Sequence, residues 1–465
     1  MKRKTASFDD VDALIARVAA DHAVPGLAAA GVVDGGPGHV AVHGLRDQER
    51  QLPMTAGTPS RWYSISKPLT ALAVAKSVSA GRLQWDQKVK DLVPRVRFAD
   101  AVSTERATIR DCLLHRSGLA SGDWVWIGAP SDPDELLKRL PYVSCRPGYR
   151  AGFHYQNLNF TIIGEVLKAI GTDWHSAMRD LLAPIGVKPL TRLQEFRASD
   201  RALGYGPNGF AAPEPSADFD FEGIAPASAV CGSITELARL AAAMSVGGKG
   251  LLPSDAWQEA IRPVFALGPR DWPEMRAPCA AMAGVAVVYR GELVLQWAGG
   301  FRGYVSHIVA MPERRVAGCA LANRTASSAA ELLAWSMLDR AAGLEPLPWA
   351  DRFLEQKRSF RKAGERRMAE RLARPAAPWP GFDVCGRFRS DAYGELEVAE
   401  GPVLRFRNVE LPMRFMPDGT VSAEGGAKDF SELFWSLRPE VDAGSVAAWS
   451  FNPDDPLTPC RFARQ

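Results

Sequence analysis

Residues 62–68 read Trp62-Tyr63-Ser64-Ile65-Ser66-Lys67-Pro68, and the rest of the chain is read outward from this stretch. Ser64 and Lys67 open a run, Pro68 to Ala80, whose periodicity predicts a helix closed by Gly81. Residues three apart on a helix share a face, so the pattern places the lysine amine within reach of the serine hydroxyl. A hydroxyl is a poor nucleophile until a neighbouring base takes its proton, and a desolvated amine can have its pKa lowered enough to be that base. The helix N-terminus favours developing negative charge, and Pro68 suits a first turn. On its own the tetrapeptide pattern is weak. It recurs at Ser359-Phe360-Arg361-Lys362, in a charged segment where nothing would desolvate the lysine.

A second element, Tyr155-Gln156-Asn157, ends the loop Arg146-Pro147-Gly148-Tyr149-Arg150-Ala151-Gly152-Phe153-His154 and precedes a predicted helix from Phe160 to Ile170, stopped by Gly171. A phenol in the field of an ammonium group can be pushed toward phenolate, which makes Tyr155 a second candidate base. Asn157 offers an amide donor and acceptor to a substrate carbonyl or to Lys67. The third element is Gln296-Trp297-Ala298-Gly299-Gly300-Phe301-Arg302-Gly303 at a strand end. Glycines there let a substrate carbonyl approach the backbone, and a free amide could join that of Ser64 in an oxyanion hole. Taken singly, each is ordinary loop or hairpin sequence.

Together, in this order, the three elements resemble the serine β-lactamase and penicillin-binding-protein superfamily, in particular its class C β-lactamase, esterase and D-aminopeptidase branch. The flanking segments Thr108–Leu119, Asn159–Gly171 and Ser228–Arg239 resemble the same branch, and the likeness runs from Phe8 to Leu347. The resemblance implies that Ser64 is acylated, that Lys67 shares its proton, and that Tyr155 passes a proton to the leaving group. It implies also that Asn157 holds substrate and that the amides of Ser64 and Gly300 bind the oxyanion. Where many relatives carry Lys-Thr-Gly or His-x-Gly, this chain has Trp297-Ala298-Gly299. Indole carries no charge and one donor, so neutral esters or amides are expected in preference to substrates with a free carboxylate. Cys385-Gly386-Arg387-Phe388 and the segments after it resemble the lipocalin-like barrel of D-aminopeptidases, with room here for one such barrel. A loop of that barrel reaches the active-site mouth in the family, which makes Glu410 a candidate partner for a substrate ammonium.

The expected architecture is α+β. A β-lactamase/transpeptidase-like domain over 1–347 combines an antiparallel sheet flanked by helices with an all-helical region. A charged linker helix and Pro-rich boundary follow over 348–380, then a small all-β, lipocalin-like barrel over 381–465. The sheet's strands are expected as a hairpin from Gly26 to Gly44, then at Val285–Tyr289, Leu293–Trp297, Tyr304–Met311 and Val316–Leu321. In the tail, Asp418-Gly419 reads as a turn.

Composition narrows the function further. The 465 residues are 46% hydrophobic and 23% charged with net charge +3, which excludes disordered and fibrous classes and gives no push toward nucleic acid or an anionic membrane. Seven scattered cysteines without a Cys-x-x-Cys pair, and seven histidines without ligand spacing, argue against a disulfide framework or a zinc site. No metal or cofactor is therefore expected. Gly204-Tyr205-Gly206-Pro207-Asn208-Gly209 matches a dinucleotide-binding pattern only literally, since no buried strand precedes it and Pro207-Asn208 reads as a turn. Asp9, Asp10 and Asp12 interrupt any secretory apolar run, and no stretch approaches the ~20 apolar residues of a membrane span, so a cytoplasmic location is expected. The sequence thus points to a metal-free serine hydrolase acting on a small ester, amide or peptide. D-aminopeptidase-like cleavage leads. A carboxylesterase, a weak β-lactamase and a non-catalytic penicillin-recognising protein remain as alternatives, with homo-oligomerisation left open.

Overall fold

The computed structural model describes residues 5–145, 149–206, 212–269, 271–325, 327–427, 430–454 and 459–465. Strand β1 (Gly26–Val33) is small and apolar throughout and buried along nearly its whole length, because both faces of the sheet around it are covered. It returns as β2 (Gly36–Asp47) through Asp34 and Gly35, whose φ angles of 51° and 73° are those a two-residue hairpin demands. With β3 (Leu52–Pro53) they form one side of a nine-stranded antiparallel sheet. The remaining strands are β4 (Phe265–Ala266), β5 (Met275–Ala281), β6 (Gly284–Tyr289), β7 (Glu292–Phe301), β8 (Tyr304–Met311) and β9 (Val316–Ala322). The order across the sheet is β3-β2-β1-β9-β8-β7-β6-β5-β4. The strands expected between Val285 and Leu321 lie where the apolar runs put them, and Arg290-Gly291 forms the tight turn between β6 and β7 at φ 50° and 91°.

The helices that position the site are α1 (Val11–His22), α2 (Ser66–Ser79), α3 (Leu158–Ala169), α4 (Ile234–Ser245), α5 (Ala329–Ala341) and α6 (Trp349–Leu372). α1 and α5 cover one face of the sheet, where Val11, Ile15, Leu333 and Trp335 join Leu27, Val309 and Ala320 in one cluster. α4 covers the other face with Leu237, Leu240 and Ala241 against Ala28, Ala30 and Cys319. α2 is buried from Ser66 through Ala75 and runs inside the helical region, as befits a helix without a polar face. It begins two residues before the expected Pro68, because a 3₁₀ turn at Tyr63–Ile65 leads directly into it. α3 likewise begins at Leu158, and both helices stop before glycines at positive φ, Gly81 (70°) and Gly171 (73°).

α6 is buried only at Trp349, Ala350, Phe353, Leu354 and Gly364; the rest is solvated and carries i,i+4 pairs such as Arg361–Glu365 at 2.7 Å. Beyond it eight antiparallel strands close into a barrel. They are β10 (Gly386–Ser390), β11 (Gly394–Ala399), β12 (Val403–Phe406), β13 (Val409–Phe415), β14 (Val421–Ala427), β15 (Phe430–Asp442), β16 (Ser445–Phe451) and β17 (Cys460–Arg464), with β17 pairing back to β10. Alternate residues such as Phe388, Leu396, Phe406, Leu411, Trp449 and Phe462 are buried, the period-2 pattern of a small filled barrel. Asp418-Gly419 makes the turn between β13 and β14, Gly419 having φ 79°. Residues 146–148 of the loop before Tyr155 and Pro207–Gly209 of the glycine pattern lie outside the described residues; Tyr205–Gly206 is a short strand paired with Glu214–Pro215. Among the described residues no helix is long and apolar enough to cross a membrane.

Candidate active site

The turn that carries Ser64 is held on three sides. Trp62 donates its indole N–H to the Gly232 carbonyl (3.0 Å), and the Ser306 hydroxyl donates to the Trp62 carbonyl (2.7 Å). Tyr63 sits at φ 46° and donates its hydroxyl to the Arg302 carbonyl (2.6 Å). A bulky residue in that region costs about 1–2 kcal/mol and persists only where its surroundings over-determine it. Strand β7 lies directly against this turn. A Cβ added to Gly299 would sit 2.0 Å from the Trp62 oxygen and 2.7 Å from the Ser64 nitrogen. Gly299 is thus glycine for strand-against-turn packing, not for substrate approach as its sequence context suggested. Gly300, whose would-be Cβ meets nothing closer than 3.6 Å, faces the cavity.

Around Ser64 the alcohol, amine and phenol converge. Lys67 Nζ donates to Ser64 Oγ at 3.0 Å and to the Ala227 carbonyl at 3.2 Å, while Ser64 Oγ and the Tyr155 hydroxyl are 2.8 Å apart. The segment that supplies Ala227 is strapped along α2 by two bonds: Val230 N–H to Ser66 Oγ (3.0 Å) and Thr70 Oγ1 to the Pro226 carbonyl (2.8 Å). Lys67 is only 5% exposed. Burial lowers its pKa to about 7, against a smaller upward pull from Asp123. The rings of Tyr155 and Phe160, at 4.6 and 5.6 Å, pack against its nitrogen.

The phenolate expected at position 155 is not what this environment favours. Burial raises the phenol's pKa, outweighing the Ser64 hydrogen bond that opposes it. The residue's 39% exposure tempers the size of that push and leaves its sign. The group placed to lose a proton near neutrality is therefore the amine, and the phenol keeps its proton. Beneath the phenol lies His115, stacked at 4.5 Å and 27°. Its Nδ1 accepts from the Gln156 N–H (3.0 Å), and burial followed by the charge of Lys67 lowers its pKa to about 3, so it is a neutral support.

The triad opens into a cavity of about 700 Å³. Leu113, Phe153, Met282 and Phe301 contribute apolar wall; Arg302, His307 and Glu331 contribute polar groups. Trp297 lines it too, but its N–H donates to the Ala283 carbonyl (2.8 Å), and a Cβ on Gly284 would lie 2.4 Å from its ring. The indole is therefore anchored as a wall and brings no donor to substrate. Asn157 is buried outside the lining: its Nδ2 donates to Asp123 Oδ1 at 2.6 Å, and its own Oδ1 has no partner among the described residues. Glu410 is not part of the cavity. It stands on β13 at an outward position of the Val409–Leu411 alternation, 67% exposed and paired with Arg405 at 3.0 Å.

Sequence reasoning gave no role to His115, Asp123, Arg302 or Glu331. His115 lay inside a segment that was recognised only as a flank, and Gly122-Asp123-Trp124 carries no motif, since its partners come from distant parts of the chain. Among the described residues no group of three or more His, Cys, Asp or Glu side chains could hold a metal ion.

A family profile described as Beta-lactamase matches residues 11–342. Penicillin-binding protein 4 of Amycolatopsis lactamdurans is 30% identical over 194 residues, 40% of this chain and 50% of its own length. Esterase EstB of Burkholderia gladioli is 35% identical over 167 residues, 31% of this chain and 41% of its own. D-aminopeptidase of Brucella anthropi is 24% identical over 206 residues, 42% of this chain and 38% of its own. The chain thus spans half or less of the length of these curated relatives. The solved octameric penicillin-binding protein homologue from Pyrococcus abyssi shares the fold over 98% of this chain and 99% of its own, with TM-score 0.65 at 19% identity.

Proposed function

The chain belongs to the Beta-lactamase family, and from that premise we propose that it is a serine hydrolase working through an acyl-enzyme on Ser64, cleaving an amide or peptide bond of a small amino-acid substrate in D-aminopeptidase fashion. The observation that carries this reading is the Ser64–Lys67–Tyr155 triangle around a desolvated amine. Once neutral, Lys67 accepts the Ser64 proton across their 3.0 Å contact as Oγ attacks the substrate carbonyl. The amides of Ser64 and Gly300 take the oxyanion. The carbon–nitrogen bond breaks as Tyr155 gives its proton to the departing amine and recovers one from Lys67. Water then attacks the ester, and its proton returns by the same route to restore Ser64. The domain boundaries proposed from sequence accompany this reading: hydrolase over 1–347, linker over 348–380, barrel over 381–465.

With Glu410 outside the cavity, Glu331 is the acidic side chain among the described lining residues, and it is the carboxylate that a substrate ammonium would meet. One observation favours a second reading, a carboxylesterase: the indole of Trp297, its N–H already given to the Ala283 carbonyl, offers only apolar surface to the cavity. Incubation with a fluorophosphonate followed by mass spectrometry tests the shared chemistry, with one adduct on Ser64 expected and none in Ser64→Ala. Absence of any adduct overturns both readings and leaves a binding protein. Faster turnover of D-alanine p-nitroanilide than of p-nitrophenyl butyrate supports the first reading; the reverse order replaces it with the second.

A further inference from the structure

We propose that Asp454 of the C-terminal barrel holds the loop around Asp123, and that Asp123 in turn positions Asn157, two residues along the chain from Tyr155. This rests on the hydrolase reading above. Asp454 leaves the end of β16, and its Oδ1 accepts two backbone bonds from the hydrolase region, from Asp123 N–H (2.8 Å) and Trp124 N–H (3.0 Å). Gly122 makes that approach feasible. It has φ 155°, and a Cβ there would sit 2.2 Å from the Asp454 carboxyl carbon. The next side chain but one, Trp124, packs against the barrel's Phe406 and Trp435 at 5.7 and 5.2 Å. The loop is therefore gripped by the barrel at both its backbone and its side chain.

What the grip aims is the Asp123 carboxylate. Its Oδ1 accepts from Asn157 Nδ2 (2.6 Å) and from the Trp126 indole N–H (2.8 Å). Asn157 stands two residues from Tyr155 at the start of α3, and Asp123 is also the carboxylate whose charge acts on Lys67. One path thus runs from barrel to triad: Asp454, the amides of 123 and 124, the Asp123 carboxylate, then Asn157 and Lys67. Asp454 is itself steadied, its N–H donating to Asn452 Oδ1 (2.9 Å) and Asn452 Nδ2 donating to Ser144 Oγ (3.2 Å). A carboxyl buried this deeply is costly to ionise, and burial lifts its pKa to about 7. Apolar contact would fasten two domains at lower cost, so an acid aimed at these two amides serves orientation.

The test uses the full chain, with the rate of Ser64 labelling by a fluorophosphonate and backbone hydrogen exchange as readouts. Asp454→Ala is expected to slow labelling ~10-fold or more and to expose the amides of 123 and 124 to exchange, whereas Asp454→Asn, which keeps the accepting oxygen, stays within ~3-fold. Asp123→Ala gives a similar loss without touching the barrel. The double variant is no slower than Asp123→Ala alone, since residues acting along one path are not additive. Lys67 faces Tyr155, His115 and Asp123. Releasing Asp123 removes its upward pull, so the acid limb of the labelling rate moves to lower pH in Asp454→Ala. A role in packing alone would leave that limb in place. Should Asp454→Ala fail to fold, Gly122→Ala separates loop from carboxyl with the barrel core untouched and carries the same expected loss. Wild-type labelling in a folded variant with exchanging 123 and 124 amides overturns the proposal, as does a multiplying double variant. If the wild-type chain takes no label, the hydrolase reading fails, and protection of those amides lost in Asp454→Ala and kept in Asp454→Asn still decides whether Asp454 holds the loop.

Discussion

Ser64 and Lys67 at the head of α2, and Ser359 and Lys362 along α6, are the same four-residue pattern in two regions of one molecule. At α2 the lysine is buried, bonded to Ser64 Oγ and to the Ala227 carbonyl, with two aromatic rings against its nitrogen. At α6 both residues are exposed on a helix whose charges pair with one another and with water. Helical spacing supplies reach in both places. Only at α2 is the amine stripped of water and set beside a phenol, and desolvation is what turns an ordinary lysine into a base at neutral pH.

The largest effect that could break this contrast comes from the serines. Ser64→Ala is expected to lower kcat by ~10⁴-fold or more, the scale of losing a nucleophile from a unit that acts together, whereas Ser359→Ala turns over at the wild-type rate. Comparable losses in both variants would mean that burial does not separate the two sites.

The lysines come next. Lys67→Ala is expected to cost ~10²–10⁴-fold in kcat, the range for removing a general base, and Lys362→Ala nothing measurable. Because the amine must be neutral to accept a proton, and burial brings its pKa to about 7, kcat/KM in the wild-type chain rises with pH and levels off above about 7. Tyr155→Phe keeps the ring that packs on Lys67 but removes the proton relay, and a loss of ~10²-fold is expected. Since its phenol pKa is raised, no basic limb attributable to phenol ionisation appears up to pH ~10. A limb there that vanishes in Tyr155→Phe would restore the phenolate reading.

How far the sequence carried these conclusions depended on whether the determining contacts were local. The strands from Val285 to Leu321 were readable because two-residue turns and apolar runs are local signals, and the Ser64–Lys67 contact was readable because helix geometry fixes it within a single turn. Reading Tyr155 as a candidate base had the wrong sign, since burial, which no neighbouring residue reveals, raises the phenol's pKa by more than the Ser64 hydrogen bond lowers it. Gly299 was given to the substrate although it serves Trp62, far away in sequence. Glu410 was placed at the site by resemblance to a barrel loop, whereas here it stands within β13 and strand alternation turns it outward. Asp123 escaped notice for the same reason on a larger scale. Its partners Asn157 and Asp454 are brought to it by the fold and leave no pattern around it.

The smallest effect expected is thermodynamic, and it isolates desolvation from chemistry. In the unfolded chain Lys67 holds its proton up to about pH 10.4, whereas in the folded protein it releases that proton near 7. Between those values the unfolded state binds the extra proton, so stability rises with pH, at most by about 1.4 kcal/mol per unit for one group. Below the lower value both states are protonated and the folded chain carries the full penalty of a buried ammonium. Replacing the residue by methionine removes the ionisable group while keeping most of the volume. The difference in unfolding free energy, wild type minus Lys67→Met, should therefore grow by ~2 kcal/mol in favour of wild type between pH 7.5 and 9.5. Urea unfolding of both variants at the two pH values measures it. Lys362→Met, run alongside, should show no such change, because an exposed amine meets the same water in both states. A slope of equal size in the two variants, or none in either, would remove the difference in environment on which the contrast between the two helices stands.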